Sequence, residues 1–376
     1  MATVADPRLA PDADVAPPWL LVWWSFRRHR LAMTGLIVVL GFYVIGLFAE
    51  FFAPFSPTSA GARHVYHPPQ MINWIDRGED GWRIRPWVQA YELNRDPFTL
   101  EQSFEPIPDE RIYLTFFGEG QPYRLMGLIP MTTKLLVPVE PNQRFFLFGA
   151  ARLGRVMLSR TIHGARVSMS IGLLGVTFSL VLGITLGGIS GYYGGGGDMV
   201  IQRVIEFVLS LPTIPIWLGL TAALPADWSP LTRYFAITII LSLVGWTELA
   251  RVVRGRFLAL RTEDYVTAAT LDGCREVRLI FRHMLPSMTS HIIASVTLAI
   301  PLMILAETSL SFLGLGLQQP VISWGVLLRE AQNIRSIAQA PWLFIPGAAV
   351  CLAVLALNFL GDGLRDAADP YARESD

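Results

Sequence analysis

The sequence predicts an all-α protein that crosses a membrane six times and carries one inserted α/β or β-rich segment outside the membrane. Of its 376 residues, 52% are hydrophobic and only 16% are charged. Soluble domains usually carry nearer a quarter charged residues, so lipid is the expected main solvent. Six separate stretches are long and apolar enough to cross a bilayer. One long stretch between the first two, residues 54–148, is far more polar.

Each of the six apolar stretches has about the 20 residues that a spanning helix needs. They cover approximately residues 33–53, 167–190, 200–222, 232–253, 287–311 and 341–361. The second is rich in glycine, which lets packed membrane helices approach closely; its glycines are Gly172, Gly175, Gly183, Gly187 and Gly188. Pro212 and Pro215 predict a kink in the third stretch, which neighbouring helices can tolerate.

The placement of arginine predicts which side each connection faces, because cytoplasmic loops carry an excess of basic residues. Arg27, Arg28 and Arg30 lie just before the first span, and seven arginines lie at the end of the fourth span or in the loop that follows it, from Arg251 to Arg282. Both signals place the two termini in the cytoplasm. The expected organisation is a cytoplasmic segment 1–32, the span 33–53, an external insertion 54–148, a core 149–371 with five spans and a cytoplasmic loop 254–286, and a tail 372–376. The N-terminus does not read as a cleaved signal peptide.

Composition also excludes several kinds of site. The net charge is zero, which argues against a nucleic-acid partner bound through its phosphates. The only lysine, Lys134, follows Thr133 in a glycine-free stretch, so no phosphate-binding loop is available for ATP. Cys274 and Cys351 predict neither a disulfide framework nor a metal cluster. We therefore expect no catalytic residue, metal site or bound cofactor in this chain.

The external insertion has its own predicted structure. Residues Arg111–Phe117 and Lys134–Val139 favour β-strands. A loosely structured insertion is the alternative, although structureless loops of this length are uncommon.

The loop between spans four and five reads as two short helices around a glycine. Glu263 to Leu271 favours a helix with acids at its start, and Gly273 permits the turn that ends it. A second, amphipathic helix is expected to place Val277, Ile280 and Phe281 on one face. Such a unit predicts docking into a groove of a partner protein; a merely solvated loop is the alternative.

The residues of this loop resemble the EAA loop of ABC importer permeases. The resemblance is carried by Thr267-Ala268-Ala269, Gly273 and Leu285-Pro286. Thr267 departs from the glutamate usual there, which puts one polar contact to the ATPase in question. The flanking residues resemble the peptide and nickel branch. The residues expected to couple this chain to an ATPase are Glu263, Tyr265, Thr267, Ala268, Ala269, Gly273, Arg278, Phe281, Arg282, His283, Leu285 and Pro286.

Other parts of the chain resemble the same branch. They include residues 26–32, 149–168, 307–316, 323–325 and 358–370, so the resemblance covers about 26–55 and 149–371. Ala151 and Val156 stand where aspartates are usual. We therefore expect the arginines that follow or flank them to lack ion partners; these are Arg152, Arg155 and Arg160.

The resemblance implies a type I ABC importer permease core of the dipeptide, oligopeptide and nickel "C" subunit family, in the subset with an extended first external loop. It implies a place in a bacterial inner membrane and four kinds of partner: a second homologous permease, two ATPase subunits, an external solute-binding protein and the lipid bilayer. ATP and Mg²⁺ would bind the ATPases. The expected cargo is an oligopeptide or another small polar solute, with oligosaccharides, opines and nickel as alternatives.

Two other classes of function would leave different patterns in the sequence. An ion-coupled secondary transporter predicts inverted repeats around a mid-membrane site, and no internal repeat is found. A membrane enzyme predicts a nucleophile with a base, or a metal site, and neither occurs in the sequence.

Three acids lie in or beside apolar spans, where a carboxylate must face protein or water. Glu206 and Glu307, the latter four residues before Ser311, are candidates to line the pathway or to latch one conformation. The alternative for each is an interhelical hydrogen bond that fixes packing. Glu248 is expected to pair with Arg251. Trp324 suits a membrane-interface anchor, with a contact to a substrate-delivering binding protein as the alternative.

Overall fold

A computed structural model describes residues 18–368, apart from 79–80, 96–97, 99–101, 226 and 334–337. The helical elements are α1 (Pro18–Arg28), α2 (Arg30–Leu47), α3 (Ala49–Phe52), α4 (Met157–Tyr193), α5 (Gly195–Ser210), α6 (Thr213–Ala222), α7 (Pro230–Leu260), α8 (Asp264–Leu271), α9 (Glu276–Leu279), α10 (Leu285–Ser287), α11 (Thr289–Phe312), α12 (Trp324–Arg329) and α13 (Ile345–Ala368). Four strands lie between α3 and α4: β1 (Asn73–Gly78), β2 (Gly81–Arg95), β3 (Gln102–Leu125) and β4 (Ile129–Pro138). Most of the terminal segments 1–32 and 372–376 of the sequence prediction lies outside the described residues.

Among the described residues, five helices are long and apolar enough to cross a membrane by themselves: α2, α4, α7, α11 and the helix that begins at Pro341 and includes α13. They correspond to the first, second, fourth, fifth and sixth predicted spans. The second is much longer than predicted: α4 has 37 residues, or about 55 Å at 1.5 Å per residue. Hydropathy missed its first turns because Arg160, His163 and Arg166 interrupt the apolar run.

The third predicted span is broken. Helices α5 and α6 meet at an angle of 89° and pass the membrane-span test only as a bent pair. Leu211, the residue between α5 and Pro212, is extended with ψ 139° because the residue before a proline is disfavoured in the helical region. The kink predicted from the two prolines is therefore confirmed in position and is sharper than expected. Six spans are reached only if this pair counts as one.

The strands form one antiparallel sheet in the order β1-β2-β3-β4. Trp87 of β2 lies opposite Tyr113 of β3, and Leu114 of β3 lies opposite Pro138 of β4. One face of the sheet packs on aromatic side chains that flank it in sequence; this core contains Phe55, Val88, Ala90, Ile112, Leu114, Leu136, Phe145 and Phe146. The β-rich insertion is confirmed, and the loosely structured alternative is wrong.

The membrane helices pack most extensively where α4 runs along α7, with α13 packed on both α2 and α11. Glycines of α4 make this close packing possible, as the sequence indicated. A β-carbon on Gly187 would lie 2.5 Å from the carbonyl oxygen of Ala250 in α7, which is a steric clash. The space beside Gly183 is occupied by Leu249, and the space beside Gly172 is occupied by Ile304. A β-carbon on either glycine would therefore also clash.

Candidate functional site

The helical loop, defined here as residues 263–286, begins as predicted. Glu263 precedes α8, and the helix ends at Leu271. Gly273 has φ +75°, and the next amide, that of Cys274, donates to the carbonyl of Ala269 at 3.0 Å. A β-carbon on Gly273 would meet no atom within 4 Å. Glycine is therefore needed at this position for its backbone conformation and not to avoid neighbouring atoms, because a left-handed backbone disfavours side chains.

The second half of the helical loop differs from the single amphipathic helix that was predicted. Helix α9 makes one turn, a π-helical turn follows over Ile280–Met284, and α10 begins at Leu285. Pro286 explains the wide turn. Proline has no N–H, and its ring crowds the carbonyl four residues earlier. The amide of Leu285 bonds instead to Ile280, five residues earlier, which widens the helix by one residue.

The apolar residues of this half divide between two faces. Val277 is 67% exposed and Phe281 is 63% exposed. Ile280 does not share their face, so that part of the prediction is wrong: it packs inward with Leu279 and Met284 on a cluster from α7 and α8. That cluster contains Val253, Phe257 and Val266.

The exposed face is framed by cations. Arg275, Arg278 and Arg282 line one shallow depression together with Val277, Phe281 and Pro286. The remaining candidate coupling residues lie at the surface or close to it: Glu263, Tyr265, Thr267 and Ala268 are exposed, and Ala269, His283 and Leu285 are half-buried. The Tyr265 hydroxyl donates to Ser287 at 3.4 Å. The arrangement is an exposed surface of apolar side chains ringed by positive charge.

Glu307 is the centre of a buried junction. It is fully buried, and its carboxyl group accepts from Ser311 and Ser323 at 2.7 Å each and from Ser168 of α4 at 3.4 Å. The Ser311 hydroxyl in turn accepts from the amide of Leu317 at 2.9 Å. These contacts join α4, α11 and the segment before α12. They match the packing alternative for Glu307 and Ser311, and nothing in them exposes either residue to a pathway.

Trp324 belongs to the same junction. It is fully buried, its backbone amide donates to Ser168 at 3.1 Å, and its indole N–H donates to the carbonyl of Thr161 at 3.0 Å. The expectation of a membrane-interface anchor is wrong, because an anchor of that kind would be exposed to lipid headgroups.

Glu206 has a contrasting environment. Its side chain is 53% exposed and accepts from Arg203 at 2.9 Å within the same helix. It lines a polar cavity of about 480 Å³ that also contains Arg251 and the Asp198–Arg254 ion pair. Arg254 donates to both carboxylate oxygens of Asp198 at 2.6 Å.

Glu248 does not make the ion pair predicted for it. Among the described residues its expected partner, Arg251, lines the polar cavity instead. Glu248 is exposed and lines a second, mainly apolar cavity of about 460 Å³ with Trp217 and Ser309.

The arginines near the start of α4 were expected to lack partners, and for Arg160 this is wrong. Arg160 is fully buried and lies 2.8 Å from Glu330. Arg155 donates to the side chain of Gln319 at 3.4 Å. Ala151 and Val156, at the positions where aspartates were expected, are buried in apolar clusters. No sequence signal pointed to Glu330, which lies 170 residues further along the chain.

These features define a class of protein: a multi-span membrane protein with an exposed helical loop and no catalytic constellation among the described residues. Two family models match the chain. One is the binding-protein-dependent transport system inner membrane component, over residues 183–374, and the other is the N-terminal transmembrane domain of oligopeptide transport permease C, over residues 17–69. The chain belongs to the first family. Its members are permease subunits of ABC importers, and ATP is hydrolysed on a separate subunit.

Relatives with curated names agree. The oligopeptide transport system permease protein OppC of Bacillus subtilis is 35% identical over 244 residues, which is 65% of this chain and 77% of that protein. The dipeptide transport system permease protein DppC of Bacillus subtilis is 36% identical, over 60% and 69%. OppC of Haemophilus influenzae is 37% identical, over 61% and 71%.

Among solved structures, the inward-facing MetNI methionine ABC transporter is similar over 57% of this chain and 98% of that chain. The TM-score is 0.45 and the identity 15%. A similarity at this level supports no further conclusion. Neither family model covers residues 70–182, where the whole sheet lies.

Proposed function

We propose that this chain is one of two permeases that together form the translocation pathway of an ATP-driven oligopeptide importer in a bacterial inner membrane. The observation that carries the proposal is the exposed face of the helical loop, where Val277 and Phe281 stand among three arginines. An exposed apolar patch with a polar rim is typical of a protein-binding surface. The oligopeptide cargo rests on the names of the relatives.

The packing of the helical loop suits it to transmit a movement. Leu279 and Met284 are buried against Val253 and Phe257 of α7, and α10 is followed after one residue by α11. The Tyr193 hydroxyl at the end of α4 donates to Glu276 of α9 at 2.8 Å. A displacement of the loop therefore moves three long helices at once, because close-packed interiors move as units.

The proposed assembly follows from this surface and from the arginine distribution. The helical loop and both termini face the cytoplasm, where two ATPase subunits bind ATP and Mg²⁺ and receive the loop. A second, homologous permease completes the pathway. The sheet faces outward, where a solute-binding protein delivers the peptide. Within the chain, Glu307 and Ser311 fix the packing of α4 on α11, and Glu206 remains the acid proposed to face the pathway or the second permease.

The cargo is tested with the complete importer in liposomes. Its binding protein is loaded in turn with short peptides and with oligosaccharides, and ATP hydrolysis is measured. We expect stimulation by peptides only. Stimulation by oligosaccharides only would reject the peptide cargo and leave the importer class intact.

The docking surface is tested by Phe281→Ala. We expect at least a tenfold loss of ATPase subunits that co-purify with the tagged chain, because the largest exposed apolar group of the surface is removed. Ile84→Ala is the matched control, since Ile84 is 88% exposed on the sheet. Equal co-purification in both variants would reject this surface as the docking site.

A further inference from the structure

The hairpin formed by β3 and β4 runs back along the helices that precede the sheet. Near its base, the ring of Phe117 lies 6.2 Å from that of Phe51 in α3. On the other strand, the Lys134 ammonium donates to the carbonyl of Ala53 at 2.8 Å. At its tip, Met126 lines a groove with Gly46 and Leu47 of α2. The contacts thus move toward the middle of α2 as the hairpin approaches its tip.

The direction of the hairpin determines how far along α2 its tip lies. Helix α2, a candidate membrane span, ends at Leu47, and the groove that contains Met126 extends along α2 to Phe42. Five residues of α-helix rise about 7.5 Å. Met126 therefore lies level with the last turn and a half of a membrane span, within the depth of the adjacent leaflet rather than above it.

The chemistry of the tip fits that depth. Met126, Leu128 and Ile129 are 50%, 80% and 57% exposed, with no protein atoms covering those surfaces in this chain. From residue 120 to residue 139 the sequence has no acid, and its two cations are Arg124 and Lys134. Such a segment suits a lipid interface. Its apolar side chains can contact acyl chains, and the exposed arginine that precedes them can contact the phosphates nearer the membrane surface.

The groove beside the tip is lined mainly by apolar side chains, with Arg166 and Ser170 among them. It has a volume of about 410 Å³ and is lined from α4 by Ala165, Met169 and Leu173 as well as by α2. Leu47 and Leu173 are 45% and 48% exposed, so the tip adjoins helix faces that are already open to lipid.

The backbone of the tip can enter an interface at low cost. Gly127 donates to the carbonyl of Arg124 at 3.1 Å, and Leu128 donates to that of Leu125 at 3.0 Å. Two donors of the turn are thus already satisfied, whereas an unsatisfied donor in hydrocarbon is expensive.

We propose that residues 125–129 form a membrane-dipping tip, which inserts its apolar side chains into the external leaflet of the bilayer beside α2 and α4 and holds the sheet against the membrane. The occupant of the exposed apolar surface is lipid: acyl chains around Leu128 and Ile129, and a phosphate near Arg124. The proposal requires α2 to be a membrane span and is independent of the importer's cargo.

The test compares Leu128→Cys with Ile84→Cys, an equally exposed apolar position on the same sheet. Both are made after Cys274→Ser and Cys351→Ser, and each carries a fluorophore that responds to polarity. The importer, purified with the ATPases that accompany it, is reconstituted in nanodiscs containing lipids with a nitroxide at acyl carbon 5. We expect quenching at position 128 to be at least threefold stronger than at position 84, and aqueous iodide to show the reverse preference.

Two results would overturn the proposal. Equal access of iodide to both positions would place the tip in water. Protection of position 128 from both quenchers would place it against another protein, such as the second permease. A benzoylphenylalanine at position 128 in the chain with native cysteines provides a second measurement: a photoadduct with phospholipid is expected, and an adduct with a protein chain contradicts the proposal.

Discussion

Glu307 and Phe281 lie only 26 residues apart, yet the first side chain is buried inside the chain and the second is exposed on its surface. Glu307 is fully buried and bonds three hydroxyl groups from three parts of this chain. Phe281 is 63% exposed, and the apolar and cationic groups around it contact solvent. The junction around Glu307 is complete in a single chain, whereas the helical loop presents an unpartnered surface.

The difference teaches where to look for rigidity and where to look for a partner. A buried polar group is costly unless it is bonded, so the junction must keep its contacts in the folded chain. An exposed apolar face is stabilised when another protein covers it, because apolar area is removed from water. Damage at the junction should therefore weaken the fold, and damage in the loop should weaken function while sparing the fold.

The largest effect is expected from Gly273→Val. A side chain at φ +75° costs about 1–2 kcal/mol and is most unfavourable for a β-branched residue, so the turn should reopen and shift α9 away from its docking position. We expect normal amounts in the membrane and at least a tenfold loss of peptide uptake. Gly41→Val is the control, since Gly41 is helical with open space around it. Near-normal transport by Gly273→Val would contradict the functional role proposed for the helical loop.

The next effect concerns stability. Glu307→Ala should lower the free energy of unfolding by about 2–3 kcal/mol, because three buried hydroxyls lose an acceptor. Glu307→Gln, which retains an acceptor oxygen, should cost about half as much. Denaturation in mixed detergent micelles measures both. Ser309→Ala is the matched control, since Ser309 is exposed and donates only to Leu305 in its own helix; an equal loss in that variant would contradict the special role of the junction.

A third prediction extends the comparison to the sheet. Burial between Phe146 and Phe104 lowers the pKa of His67 to about 4, and the nearby His64 acts in the same direction. Protonation therefore favours the unfolded state, whose histidine has a pKa near 6.5. Stability is complete above about pH 6.5 and is lost as the pH falls toward 4, by about 2 kcal/mol at pH 5.

Amide exchange of residues 81–95, corrected for intrinsic rates, measures this loss in the intact complex. His67→Phe should reduce the pH dependence because it keeps an aromatic ring and removes the titrating group. A pH dependence as steep as in the parent protein would show that His67 is not its source.

The smallest effect on stability is expected from Glu206→Gln. An exposed ion pair within one helix contributes little, so the unfolding free energy should change by less than about 0.5 kcal/mol. A parallel uptake assay sharpens the contrast with Glu307: reduced uptake at unchanged stability is expected if Glu206 faces the pathway or the second permease. A loss of stability as large as that of Glu307→Ala would show that Glu206 also holds the fold together.

Some features of the fold were predictable because they depend on local chemistry. The five long apolar helices, the break at Pro212, the turn at Gly273 and the close packing at Gly187 each follow from a few neighbouring residues. The first turns of α4 were missed because hydropathy counts Arg160 and Arg166 as polar, while in the structure each pairs with a distant glutamate, Arg166 with Glu50 at 2.6 Å.

The sites divide in the same way. Spacing along one helix linked Glu307 to Ser311, four residues later, but it could not show that Ser168 and Ser323 complete the same junction. Likewise the sequence placed Ile280 on the face of Val277 and Phe281, because it could not show that Val253 and Phe257 of α7 pack against the flank that holds Ile280.

The sequence by itself determined the class of the protein, the positions of its spans and the first helix and turn of the loop that we propose faces a partner, since apolar length, arginine placement and short motifs act over a few turns of chain. Only the tertiary structure decided which acid is buried, how Arg160 is neutralised and where the hairpin tip meets α2. Those properties depend on contacts such as Phe51–Phe117, Ser168–Glu307 and Arg160–Glu330, whose partners lie 66 to 170 positions apart, and nothing in the local sequence specifies which of many such pairs will meet.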